Sequence, residues 1–235
     1  MIKRFFGFLA VIFLARGLFA DSKNLVYNES FSYEGIDSLE ISLSYEDLKI
    51  SQIYGDEIVI EIGSNNIKKI PEVSLEEDQF SNVLKITTKT KSPKPGNECT
   101  VYLYIPQDFL ASEMKISLVS GNLQADILRA QNALYIKNTS GRLDISNLST
   151  EFLNAGSISG NITIQKLSAG YFDIKNTSGN IFVQLEKAIE AKSRISNVSG
   201  KIQVYYKKNE PPFSDDSPDL ILSSISGKIE SVPFD

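Results

Sequence analysis

Apolar and polar positions alternate along residues 114–229, and one short phrase punctuates the alternation six times. It reads Val119-Ser120-Gly121-Asn122-Leu123, Thr139-Ser140-Gly141-Arg142-Leu143 and Ile158-Ser159-Gly160-Asn161-Ile162. It returns as Thr177-Ser178-Gly179-Asn180-Ile181, Val198-Ser199-Gly200-Lys201-Ile202 and Ile225-Ser226-Gly227-Lys228-Ile229. The serines are 20, 19, 19, 21 and 27 residues apart. A period near 20 is a solenoid period, too short for helical-hairpin repeats.

Counting from each serine, the repeats line up in columns. Position −4 is Ile116, Ile136, Ala155, Ile174, Ile195 and Leu222, and position +3 is Leu or Ile every time. Position +5 is Ala125, Ile145, Ile164, Val183 and Val204, failing only at Ser231, and position −1 is always β-branched. Polar residues fill the intervals. This is the strand signature. One coil cannot bury its apolar face alone, but coils stacked at ~4.8 Å turn each column into a ladder. The pattern therefore predicts an all-β fold, a β-solenoid of ~20-residue coils resembling a single-stranded parallel β-helix.

Positions −1, +3 and +5 are odd, whereas −4 and −6 are even, and a straight strand cannot bury both sets. A phase slip is expected between −4 and −1. Position −2 holds Leu118, Asn138, Ser157, Asn176, Asn197 and Ser224, mostly residues that favour turns, so a corner is expected at about −3 to −2. The glycine at +1 would then narrow the coil or turn a second corner without a Cβ clash. The Ser-Gly phrase is geometry and not a phosphate loop, since it carries neither the dinucleotide nor the Walker pattern.

Before the repeats the alternation is looser. Leu39, Ile41 and Leu43, followed by Leu48 and Ile50, fit the columns as a degenerate coil with Tyr45-Glu46 where Ser-Gly stands later. Ile58, Ile60 and Ile62 line one strand, Val83, Leu84 and Ile86 another, and Cys99, Val101, Leu103 and Ile105 a third. Residues 21–105 are expected to act as an irregular β cap over an end of the regular coils at 106–235, the two forming one domain. Residues 185–191 have helical propensity within the 21-residue interval. The proline-rich stretch at 207–218 reads as a protruding loop, and the final coil could be left open for a partner.

Residues 1–20 read as a secretory signal, with Lys3 and Arg4, an apolar run of eleven residues and a cleavage site between Ala20 and Asp21. Eleven apolar residues are too few to span a bilayer, where about 20 are needed. The mature chain is thus expected to be exported to periplasm, cell surface or medium, with no transmembrane helix. With no histidine in the chain, imidazole metal sites and Ser-His-Asp triads are excluded. Cys99 is the one cysteine and reads as a buried strand residue. A net charge of −5 with dispersed lysines argues against a nucleic-acid surface.

The strand Cys99-Thr100-Val101-Tyr102-Leu103-Tyr104-Ile105-Pro106, followed by serial Ser-Gly-x-Leu/Ile turns, resembles a bacterial candidate-adhesin family of unknown function. The resemblance spans about residues 39–229. It implies a β-solenoid in an exported or cell-envelope protein and brings no catalytic residue, cofactor or metal with it.

Three functions remain. The first is a non-catalytic binding or scaffold module for a protein or cell-surface polymer, with Tyr205, Tyr206, Lys207, Lys208 and Phe213 as partner contacts. The second is a carbohydrate-active enzyme, which needs convergent carboxylates. Asp126, Asp144 and Asp173 stand at +6, +4 and −5 and share no column. The third is an envelope spacer or stress-response subunit completed by β-edge pairing at the last coil.

Overall fold

The structure, a computed structural model, describes residues 25–66, 70–77, 82–88, 98–186, 192–208 and 220–234. The signal segment with Ala20 and Asp21, Phe213, most of the expected loop and residues 187–191 lie outside them.

The described residues form sixteen strands and no helix. The less regular part comprises β1 (Leu25–Ser32), β2 (Ser38–Leu43), β3 (Asp47–Ile53), β4 (Glu57–Ser64), β5 (Glu72–Glu77), β6 (Asn82–Thr87) and β7 (Cys99–Pro106). The regular part comprises β8 (Ala111–Leu118), β9 (Leu123–Ser140), β10 (Leu143–Ser159), β11 (Ile162–Ser178) and β12 (Ile181–Leu185). It ends with β13 (Ser193–Ser199), β14 (Ile202–Lys207), β15 (Leu220–Ser226) and β16 (Ile229–Phe234).

Each coil has two arms. The first arm follows the Ser-Gly turn, and these arms pair in the order β1-β4-β7-β3-β9-β10-β11-β12-β14-β16. The second arm leads into the next turn, and these pair as β5-β6-β2-β8-β9-β10-β11-β13-β15. Strands β9 to β11 run through both arms, and the irregular register between Ser149 and Phe152 marks the bend. From β3 and β8 onward every pairing is parallel. Inward side chains of both arms meet in one core. The molecule is a β-solenoid with two open sheets, as the column pattern predicts.

The degenerate coil is β2-turn-β3, with Ile41 beside Ile116 and Leu48 beside Leu123. Spatial order departs from chain order here. Strand β7 lies between β3 and β4, parallel to one and antiparallel to the other, so β6 and β7 sit outside β2 and β3. Antiparallel β1 and β5 then flank β4 and β6. At the opposite end the core opens. Ile229, whose column partners Leu143, Ile162, Ile181 and Ile202 are buried, is 40% exposed.

Two expectations are corrected. The strands run unbroken through −3 and −2, so no corner lies there. The phase slip falls in the Ser-Gly turn itself, where Gly141, Gly160, Gly179 and Gly200 adopt φ of 127, 144, 121 and 118°. Inward parity consequently continues from −4 to −2, and Asn138, Ser157, Asn176 and Asn197 are buried. Position −1, whose β-branched residues read as a core ladder, faces solvent. The inward Asn has a partner to reach: Asn176 Nδ2 donates to Gly160 O at 2.8 Å and Asn197 Nδ2 to Gly179 O at 2.7 Å. The glycine is demanded by stacking. A Cβ on Gly160 would lie 1.9 Å from Gly141 O, and one on Gly121 would lie 1.8 Å from Glu46 O.

Candidate functional site

Moving the slip into the turn leaves an apolar ladder outside. Val119, Ile158, Val198 and Ile225 are 51, 56, 42 and 83% exposed, and exposed Thr139 and Thr177 stand between them. These residues follow one another down the outer face of the second sheet, because β8 to β11, β13 and β15 keep their registers rung by rung. Contiguous exposed apolar surface marks contact sites more often than scattered residues do.

Beside this ladder, position −3 reads Ser117, Lys137, Gly156, Lys175, Ser196 and Ser223. Gly156 leaves a gap between two lysines, and an open groove of about 450 Å³ lies over it. Lys137, Thr139, Ile158, Lys175, Thr177 and Val198 are among its lining residues. Lys175 pairs with Asp173 at 2.6 Å, whereas Lys137 makes no ion pair with the described residues. Further from the turn, Tyr135, Phe152 and Tyr171 form a half-buried row. Phe152 and Tyr171 stack at 5.3 Å between centroids, and the Lys115 ammonium stands 5.8 Å from the Tyr135 ring. Stacked rings show solvent their edges, so this row stiffens the face instead of offering a flat platform.

The Ser-Gly edge is polar and cross-linked. Asn122 Oδ1 accepts from Arg142 N, Asn161 Oδ1 from Asn180 N and Asn180 Oδ1 from Lys201 N, each at 2.9 Å. Asp47 begins the row by accepting from Asn122 N at 2.8 Å. These side chains at +2 continue the backbone ladder and are spent on structure.

Of the residues singled out as partner contacts, Tyr205, Tyr206 and Lys207 lie on β14 and Lys208 just after it, remote in register from the groove, while Phe213 lies outside the described residues. Tyr205 is half-buried and packs on Phe182 at 5.2 Å, and Tyr206 packs against the core. Lys207 is half-buried and Lys208 exposed, with Lys208 N donating to Phe234 O at 2.9 Å. The three aspartates do not converge. Asp126 accepts from Ser51 Oγ at 2.9 Å and shares the outward parity of the first sheet with Asp144, while Asp173 lies on the second sheet. Among the described residues no group of three or more Cys, Asp and Glu is placed to hold a metal ion. Sequence reading missed the groove because Gly156 looked like one more polar-column residue. The signal available was its being the one glycine at −3.

Two buried ionisable groups sit at the degenerate turn. Glu46 is fully buried, and its Oε2 accepts from Ser44 N at 2.9 Å, Tyr45 N at 3.0 Å and Thr88 Oγ1 at 2.7 Å. Cys99 is buried, and burial, aided by the Glu46 charge, pushes its thiol up to about 12. Such a thiol holds its proton at neutral pH and is a poor nucleophile.

The model of the family described as Toastrack DUF4097 matches residues 36–228. No curated protein matches the chain. Among solved structures the chain is similar to a candidate cell adhesion protein from Clostridium sporogenes ATCC 15579, at 14% identity and a TM-score of 0.53. That likeness covers 88% of this chain and 99% of the other, and it shows a shared fold. The chain is also similar to a candidate adhesin from Bacteroides fragilis NCTC 9343, at 15% identity and a TM-score of 0.49, over 89% and 98% of the two chains.

Proposed function

This chain belongs to the Toastrack family, and from that premise we propose that it is an exported, non-catalytic binding scaffold of the cell envelope or surface, adhesin-like in action. The observation that carries this reading is the exposed ladder on the second sheet. Val119, Ile158, Val198 and Ile225 project from a face that the stacked turns hold rigid. A solenoid presents such a face at a fixed repeat, which suits an extended partner. Tyr205, Tyr206, Lys207 and Lys208, on and just after β14 beside the edge strand β16, are a second contact region in this reading, with Phe213, outside the described residues, as a further contact.

The test replaces Ile158 and Val198 by Asp. Both side chains are solvent-exposed, so folding survives, and adhesion of the purified protein to cells or envelope fractions is expected to fall sharply. Unchanged adhesion would remove the ladder as the contact. Export has its own measurement: exported protein should begin at Asp21 by intact mass, and a species beginning at Met1 contradicts cleavage.

A second reading rests on the open last rung. The 40% exposure of Ile229 favours completion of that end by edge pairing with β15 and β16. Light scattering across a concentration series reads this out; a strict monomer excludes self-pairing.

A further inference from the structure

The glycines of the regular coils have stated reasons, with one exception. Those at the turns either hold φ above 100° or would place a Cβ within 2.4 Å of a backbone oxygen in the neighbouring coil, and Gly170 is crowded by Glu151. Gly156 has ordinary φ, and its Cβ would meet nothing nearer than Lys175 O at 3.9 Å. A glycine inside a strand weakens it, and where the backbone does not require one it marks close approach by something else. Gly156 lies at the middle of the groove.

We propose that the groove over Gly156 binds an acidic polysaccharide, a polymer of uronic-acid type whose sugar ring lies against the backbone at Gly156 and whose carboxylate meets Lys137, Lys175 on the far side being held by Asp173. The proposal rests on the binding-scaffold reading above and names its ligand class. Rungs repeat at ~4.8 Å, so the two lysines stand about 9.6 Å apart across the glycine. Between and beside them the wall offers hydroxyls of Thr139, Thr177 and Ser196 and methyl groups of Ile158 and Val198. A sugar ring presents hydroxyls and C–H faces together and matches that mixture.

Other occupants fit less well. A second copy laid on this face would set lysine near lysine, and like charges opposed on sheets are unfavourable. An acyl chain in so open a groove would stay wet along one side and gain little from burial. A peptide strand binds a sheet edge through its main chain, but here the backbone is already paired on both sides, with Gly156 between Lys137 and Lys175.

The test uses the full chain with galacturonate and alginate oligomers in titration calorimetry, at low and high salt. Dextran serves as the neutral control, and phosphatidylglycerol vesicles report lipid binding. The acidic oligomers are expected to bind, more weakly as salt rises, and dextran is not. Gly156→Val fills the groove and should weaken binding at least ~10-fold while the melting temperature holds or rises. Lys137→Gln should weaken it comparably, with folding unchanged. Absence of acidic-oligomer binding overturns the proposal, as does a Gly156→Val protein that binds like the parent. Vesicle binding that Gly156→Val abolishes, without oligomer binding, replaces the glycan by a lipid and also overturns it. If the oligomers fail while Ile158→Asp still abolishes adhesion, the groove proposal falls and the scaffold reading stands.

Discussion

The turn at Tyr45-Glu46 and the turns at Ser-Gly hold equivalent places in successive coils, yet one carries a large buried acid where the others carry no side chain. In the repeats, each glycine lies against the carbonyl of the glycine before it, which leaves no room for a Cβ. Glu46 starts that column. Its carbonyl lies against Gly121, while its own side chain turns back to accept from Ser44 N, Tyr45 N and the Thr88 hydroxyl. The glycine requirement therefore belongs to contact between coils at Gly121 and Gly227, and to that contact together with a positive φ at Gly141, Gly160, Gly179 and Gly200.

That difference can be broken at either side, beginning with the largest effect. Gly160→Ala combines a Cβ 1.9 Å from Gly141 O with φ of 144°, and neither can relax without parting two coils. Loss of more than about 3 kcal/mol, or failure to fold, is expected in urea titration. Next comes the core ladder against its open end. Ile181→Ala should cost about 2–5 kcal/mol as a fully buried residue, and Ile229→Ala clearly less, since its column opens to solvent. Glu46→Ala removes the shared carboxylate acceptor of Ser44 N, Tyr45 N and the Thr88 hydroxyl, although Ser44 N keeps Thr88 Oγ1 at 3.2 Å, and is expected to cost about 1–3 kcal/mol. Glu46→Gln keeps one acceptor and should cost less. The smallest effect is chemical. Because burial raises the Cys99 thiol to about 12, a thiol reagent at pH 8 should modify it only in denaturant. A folded pKa above the unfolded one also means this group stabilises the fold fully below the unfolded thiol range. That contribution fades as pH climbs from there through about 12.

Much of this could be read from the chain. The ladders at −4, +3 and +5 were legible because burial on one face imposes period two, and the degenerate coil because Leu39 to Ile50 keeps the same columns. The −1 column misled, since β-branched residues fit any pleated surface, buried or not, so Ile158 and Val198 resemble core residues. Asn at −2 misled for a different reason. Its amide serves Gly160 O or Gly179 O in the preceding coil, a contact between residues 16 and 18 positions apart that no single repeat displays. The insertion of β7 between β3 and β4 depends on pairing between residues about 40 positions apart, which alternation alone does not reveal. The groove was hidden in the same way: only the neighbours of Gly156 tell whether it needed to be glycine.

The central claim is that parity resets within the Ser-Gly turn, putting −2 inside and −1 outside. In a Cys99→Ala background, Asn176→Cys and Thr177→Cys place one thiol at each position, and native-state labelling rates with a maleimide compare them directly. The account predicts rapid labelling at position 177 and protection at 176 until the protein unfolds, with the β-sheet circular dichroism signal retained in both. Protection at 177 with rapid labelling at 176 would contradict it.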